Sequence, residues 1–266
     1  MTPDATELRH AYDTQVRARI SDRLPAGTSV ERDGPLVRFL GFAGRGFVLY
    51  RDLGGLDGAA LDELIARQVH VFAARGESFE WKLHGHDEPA DLPERLRAVG
   101  LVPEEQETIV IAPVADIAGE ASLPKGVVLR EVTTRTDFRR IAGLEEAVWG
   151  DEDQQDWLVN MLQSERDADP EGLAVIVAEA GETVVCAAWI RFDHGTEFAT
   201  LWGGATLAEW RRRGICRATV VHRANLAAER GFRYLETDAS DDSRPILERL
   251  GFIAVTTTTP YVWSPS

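Results

Sequence analysis

Thr200-Leu201-Trp202-Gly203-Gly204-Ala205-Thr206, followed after four intervening residues by Arg211-Arg212-Arg213-Gly214-Ile215-Cys216-Arg217, is the stretch that decides how this chain is read. A strand pattern runs into a short loop that carries three consecutive arginines and a glycine. A helix pattern begins there, with Ile215, Ala218, Val221, Ala224 and Ala228 at three- and four-residue spacing. Backbone N–H groups in the first turn of a helix lack an intrahelical acceptor and lie at the positive end of the helix dipole. Glycine at 214 lets an anion approach the main chain closely, so the loop is a candidate pyrophosphate cradle. The chain carries 29 Lys and Arg against 44 Asp and Glu, a net charge of −15, so this arginine cluster reverses the local sign. On charge alone, a solvated basic turn reads equally well.

Working outward, the second half reads as β-α-α-β-β-β-α-β-α-β. Strands are expected over 127–132, 173–179, 184–192, 198–206, 232–238 and 252–263, and helices over 137–149, 151–169, 214–229 and 243–250. The connections between the three middle strands are of hairpin length. In the first half a helix is expected over 7–24, strands over 37–42 and 47–50 about a turn at 43–46, and a helix over 57–75. A strand over 79–84, a short helix over 91–99 and a strand over 107–111 follow. A Gly/Ser/Pro-containing stretch at 118–125 reads as a linker between domains 1–120 and 126–266. Leu96-Arg97-Ala98-Val99-Gly100-Leu101 and Leu247-Glu248-Arg249-Leu250-Gly251-Phe252 place apolar residues and glycine alike, as a diverged duplication would. This order is mixed α+β, with neither strict βαβ alternation nor an all-β pattern.

Composition narrows the partners. With 266 residues, 44% of them apolar and 27% charged, the chain is long enough for one large core or two ordinary ones. The acidic balance argues against nucleic acid and against anionic membranes. Two cysteines, Cys186 and Cys216, build neither a disulfide framework nor a thiolate zinc site. Residues 1–10 are polar with acids and read as no secretory signal, and no apolar run is long enough to span a bilayer, so the expected location is the cytoplasm.

Arg211-x-x-Gly214-x-Cys216 resembles the Gln/Arg-x-x-Gly-x-Gly/Ala signature of the GNAT acetyltransferase superfamily, and the element order resembles that fold over the whole second half. Around Phe79-Glu80-Trp81-Lys82 and Asp91-Leu92, the first half resembles the degenerate N-terminal half of tandem GNAT proteins. The resemblance implies two mixed, mostly antiparallel sheets flanked by helices, with acetyl-CoA as co-substrate and no metal. It implies transfer of an acetyl group to an amine of a small molecule or peptide. The main chain of Gly204, Ala205 and Thr206 would then pair with the pantetheine amides. Backbone N–H groups from Arg212, Arg213, Gly214, Ile215, Cys216 and Arg217 would hold the pyrophosphate, with Arg211 opening the signature. The adjacent glycines Gly203 and Gly204 suit a bulge that splays this strand from its neighbour. Three positions depart from the family pattern. Cys216 replaces Gly or Ala, Ser240 stands where an asparagine often contacts the cofactor, and Leu247 stands where a tyrosine often protonates the leaving thiolate. The alternative reading is a catalytically silent acyl-CoA-binding or interaction module.

No catalytic residue is assigned from the sequence. Attack on a thioester needs a neutral amine and a group to take its proton. Glu197, Glu236 and Asp238 lie on or beside the two strands that would flank the cleft, though each also reads as a solvated strand-end charge. Thr200 and Trp202 share a strand face. They either line the acceptor site or, for Trp202, pack in the core. His84-Gly85-His86-Asp87 reads as a surface loop rather than a metal site, Asp151-Glu152-Asp153 as a solvated helix start, and Cys186 as a buried small hydrophobe.

Overall fold

A computed structural model of the chain describes residues 3–41, 45–150 and 155–265. The first half runs α1 (Ala5–Gln15), β1 (Ser29–Asp33), β2 (Leu36–Leu40), β3 (Arg45–Leu49), α2 (Gly58–Arg75), β4 (Ser78–His84), α3 (Leu92–Ala98), β5 (Val102–Pro103), β6 (Glu107–Pro113) and the short α4 (Val114–Ile117). The second runs β7 (Val127–Val132), α5 (Arg135–Trp149), α6 (Gln155–Ala168), β8 (Leu173–Ala180), β9 (Thr183–Phe192), β10 (Phe198–Thr206), α7 (Ile215–Glu229), β11 (Tyr234–Ala239), α8 (Arg244–Leu250) and β12 (Ile253–Trp263). The element order of the second half is that expected. The first helix is shorter than its expected span. A capping box between Asp4 and Glu7 starts it, and beyond Gln15 the side chains of Arg17 and Arg19 turn instead to Asp87 and Asp193. β1, β5 and α4 carried no pattern strong enough to read. The turn expected at 43–46 and the acidic stretch Asp151-Glu152-Asp153 fall wholly or partly outside the described residues.

The strands of both halves join in one 12-stranded sheet of order β1-β2-β3-β4-β12-β6-β11-β10-β9-β8-β7, with β5 pairing β12 beside this path. The pairings are antiparallel except β3 with β4 and β10 with β11. β6 lies between β11 and β12, and β12 lies between β6 and β4. Each half is thus completed by a strand of the other, and the sheet continues past the stretch at 118–125, which carries no regular element.

Period-two alternation sends successive side chains of the central strands to opposite faces. Ala199 and Leu201 of β10 and Leu235 and Ala239 of β11 pack with Val220, Ala224 and Ala227 of α7 and with Leu247 and Phe252. On the other face, Phe198 and Tyr234 pack with Leu8 and Tyr12 of α1, and farther along the sheet Trp189 and Ala205 pack with Phe138, Leu158 and Leu162 of α5 and α6. A separate cluster joins α2 and α3 to the N-terminal strands through Leu61, Ile65, Phe72 and Trp81. Thr200, Trp202, Glu236 and Asp238 belong to the α1 face, where they meet the open cavity described below.

Candidate active site

β10 and β11 pair in parallel only from Phe198, Ala199 and Thr200 to Tyr234, Leu235 and Glu236. Beyond that point the strands part, and a side-chain bond from Thr237 Oγ1 to Leu201 O, 2.8 Å, bridges the start of the gap. The divergence coincides with a register shift between Gly203 and Ala205 on the β9 side. Gly203 and Gly204 have φ of 69° and 108°, a backbone region that favours glycine, and a Cβ at 203 would lie 2.5 Å from the Trp189 ring. Beyond the bulge Ala205 and Thr206 pair with Ala187 and Cys186 of β9 while β11 pairs none of Gly204, Ala205 and Thr206, and Thr206 O accepts from Arg211 Nε at 3.0 Å.

The arginine turn leads from this strand into α7. Arg212 has a φ of 60° and Gly214 of 81°, so the main chain curls in the left-handed region twice within three residues. The first intrahelical bond runs from Ala218 N–H to Gly214 O, 2.9 Å, which leaves the N–H groups of Ile215, Cys216 and Arg217 without an intrahelical acceptor. Arg213 lies over the Trp210 ring at 4.7 Å. Cys216 fits the helix start, where its carbonyl accepts from Thr219 Oγ1. Ser240 follows the last residue of β11, and its hydroxyl is engaged with Ser243 in the turn into α8.

On the α1 face of the gap lies a cavity of about 950 Å³, lined by both halves of the chain. Among the described residues, ten carboxylates and six Lys or Arg side chains line it, together with Trp149, Trp157, Trp189 and Trp202. Glu236 is not a solvated strand end: it is only 5% exposed. Burial, and next the neighbouring Asp238, push its carboxyl well above the usual carboxylate range. Asp238 forms an ion pair with Lys82 of β4 and keeps Oδ1 buried and without a hydrogen-bond partner. Burial opposes the Lys82 charge, but Asp238, Tyr12 and Glu236 outweigh it and raise the ammonium above its ordinary value. Glu197, by contrast, bonds Gln15 and Arg233 and does not line the cavity. Trp202 is 42% exposed rather than core-packed. Its indole N–H donates to Thr200 Oγ1 at 2.9 Å, and Arg191, held by Glu165, stacks on its ring at 4.3 Å.

Two further carboxyls of the cavity are held up by burial, Glu107 to about 7 and Asp193 to about 6. A carboxyl raised on folding binds more protons in the native state, so its contribution to stability falls as pH rises from its ordinary value through its raised one. The stability of Glu107→Gln relative to wild type is therefore expected to increase from about pH 4.5 to about pH 7, read from urea midpoints. A constant difference over that range would show that Glu107 is not buried against its charge.

Two sequence expectations change. His84 is buried at the end of β4 and the Asp87 side chain in the turn after it is 4% exposed, so the stretch is not a free surface loop. Tyr12 Oη meets His84 Nε2 at 3.2 Å, Tyr50 Oη and Arg17 Nη2 both donate to Asp87 at 2.6 Å, and His86 Nδ1 lies 2.7 Å from Thr256 Oγ1. This network fastens α1 to β4 and β12. Leu247 is 7% exposed and sits in the core beside Phe252, not on the gap. Leu247→Tyr is expected to cost about 1–3 kcal/mol by overpacking and to give no gain in rate. A faster variant of unchanged thermal midpoint would contradict that placement.

Residues 135–252 match the model of the acetyltransferase (GNAT) family. No curated protein matches the chain. Among solved structures, a GCN5-related N-acetyltransferase from Kribbella flavida aligns at TM-score 0.66 and 17% identity, over 100% of this chain and 97% of its own. A functionally unknown conserved protein from Staphylococcus epidermidis aligns at 0.65 and 13%, over 94% and 99%. A tandem GNAT protein from the clavulanic acid biosynthesis pathway aligns at 0.62 and 14%, over 96% and 93%. At such identities these likenesses speak for the fold alone, whereas the family match falls on the splayed strand, the arginine turn and the helix behind it. Over these residues, 135–252, the chain carries a segment that matches the GNAT acetyltransferase family.

Proposed function

We propose that the protein is an N-acetyltransferase that moves the acetyl group of acetyl-CoA to an amine bound in the acidic cavity. The observation that carries this reading is the coincidence of two donor sets on one path. Main-chain groups at Gly204, Ala205 and Thr206 that β11 does not pair lead to the N–H groups at Ile215, Cys216 and Arg217 that have no intrahelical acceptor. The first set suits the amides of pantetheine and the second a pyrophosphate, with Arg212, Arg213 and Arg217 supplying charge around the left-handed turn. Acetyl-CoA would supply an activated acetyl thioester at the gap between β10 and β11.

The chain's own part is to orient the amine and take its proton. Trp202, Gly203 and Asp238 all line the cavity. Asp238 Oδ1, without a hydrogen-bond partner among the described residues, is the acceptor for an amine proton, with Glu236 beside the same carboxyl and Lys82 ion-paired to it. The surplus of carboxylates over cations draws a cationic amine in from solvent. The test is calorimetric titration with acetyl-CoA followed by measurement of CoA thiol release with a panel of amines. Binding without thiol release from any amine would leave an acyl-CoA-binding module and not an enzyme.

A further inference from the structure

Arg223 is a buried cation that the reaction described above leaves unused. On α7 it continues the stripe of Ile215 and Thr219, and it is 3% exposed. Its Nη1 donates to Trp189 O at 3.0 Å and to Trp202 O at 3.1 Å, and its Nε to Thr219 O at 3.2 Å. No carboxylate among the described residues neutralises it. The ionisable groups that face it are the thiols of Cys216 on α7 and Cys186 on β9. Burial pushes both thiols up, Cys186 to about 11, so both are neutral. Burial draws Arg223 itself down to about 10, which leaves it charged near neutrality. An unneutralised buried charge is a standing cost in stability that an apolar side chain would avoid.

Its place gives the charge a use. Trp189 and Trp202 face each other across β9 and β10, just before the register shift at Gly203 and Ala205, so Arg223 clamps both carbonyls at the edge of the bulge. It also stands nine residues beyond Gly214, about 13 Å along the helix at 1.5 Å per residue. A ligand whose pyrophosphate sits at Gly214 and whose arm follows β10 brings its thioester to this end.

We infer that Arg223 is a positioning residue for the thioester end of the site: it fixes the bulge, and its charge offsets the negative charge that gathers on the departing sulfur. The inference rests on the acetyl-CoA reading above. As the amine nitrogen bonds to the acetyl carbon, the carbon–sulfur bond breaks, the sulfur keeps the electron pair, and the amine's proton passes to Asp238. Since Leu247 lies in the core, α8 presents no tyrosine hydroxyl at that position to protonate the sulfur, and a fixed cation stabilises it instead.

The experiment compares CoA, whose free thiol ionises near about 8.5, with S-methyl-CoA, which has no ionisable thiol, by calorimetry between about pH 7 and about pH 9. The full-length wild type, Arg223→Lys and Arg223→Met are titrated. Wild type and Arg223→Lys are expected to gain on the order of tenfold in affinity for CoA relative to S-methyl-CoA over that range. Arg223→Met is expected to show no gain. A merely structural arginine would not produce this pattern, because S-methyl-CoA reports any damage to the site. The same gain in Arg223→Met, or none in wild type, overturns the inference. Failure of wild type to bind S-methyl-CoA overturns the acetyl-CoA reading instead. Where Arg223→Met does not fold, Arg223→Gln, which keeps donors without charge, takes its place with the same two outcomes.

Discussion

Asp238→Asn is expected to lower turnover by about 10²–10⁴-fold while leaving acetyl-CoA affinity within about twofold. The amide removes the proton acceptor, while the cofactor path along β10 and α7 does not include residue 238. It also leaves Lys82 without its counter-ion, and breaking a buried pair in this way costs up to about 3–5 kcal/mol. Lost activity from the single variant could therefore reflect a weakened fold. The double variant Lys82→Met, Asp238→Asn removes the stranded charge, so it is expected to regain thermal stability and remain slow. A further consequence concerns pH. Glu236 bears its charge only above its raised value, so wild-type turnover is expected to change as pH passes through the value to which burial and Asp238 push the Glu236 carboxyl. Since Asp238 helps to raise Glu236, any residual rate of the single variant should show this change at lower pH. Rates of both variants near wild type, with folds confirmed by circular dichroism, would remove the carboxyl pair from the reaction.

Gly214→Asp is expected to weaken acetyl-CoA binding by about 100-fold, or about 2.7 kcal/mol. Within the protein a Cβ at 214 meets nothing within 4 Å, so the fold has room for it. What the side chain crowds is the ligand, and its carboxylate repels phosphate at the positive end of α7. Part of any effect is backbone strain, because φ is 81° there and an L-residue in that region costs about 1–2 kcal/mol. Gly214→Ala carries the strain without the charge. It should therefore bind more tightly than Gly214→Asp but less tightly than wild type. Equal affinity in all three proteins would place the phosphates elsewhere.

The strand, turn and helix order of the second half was legible in the sequence, and the reason lies in local signals. The strand ending in Gly203-Gly204, the arginine turn and the amphipathic start of α7 are contiguous, so spacing alone assembles them. The acidic floor is different. Glu236 and Asp238 read as solvated strand ends because the element that buries them, β4 with Lys82, lies more than a hundred residues away in sequence. The same applies to Glu107, brought to the cavity by β6 inserting between β11 and β12. Strand exchange between halves leaves no periodic trace. Arg223 carried a faint signal: a charged residue on the stripe of Ile215, Thr219 and Ala227 breaks an otherwise buried face. The histidine turn at 84–86 misread for a related reason, since its partners Tyr12, Arg17 and Thr256 come from both ends of the chain.

The most direct test of the account is the number of acetyl-CoA molecules that the intact protein binds. The left-handed arginine turn and the splayed β10 occur in the second half. The corresponding approach to α2 in the first half carries Asp52 and Asp57, and Arg51 is the one basic residue between β3 and α2. Isothermal titration of the full-length chain is expected to give one site per chain, and its affinity should fall as salt rises because phosphate contacts are screened. No measurable binding, or a second equivalent of comparable affinity that survives Gly214→Asp, would contradict the assignment.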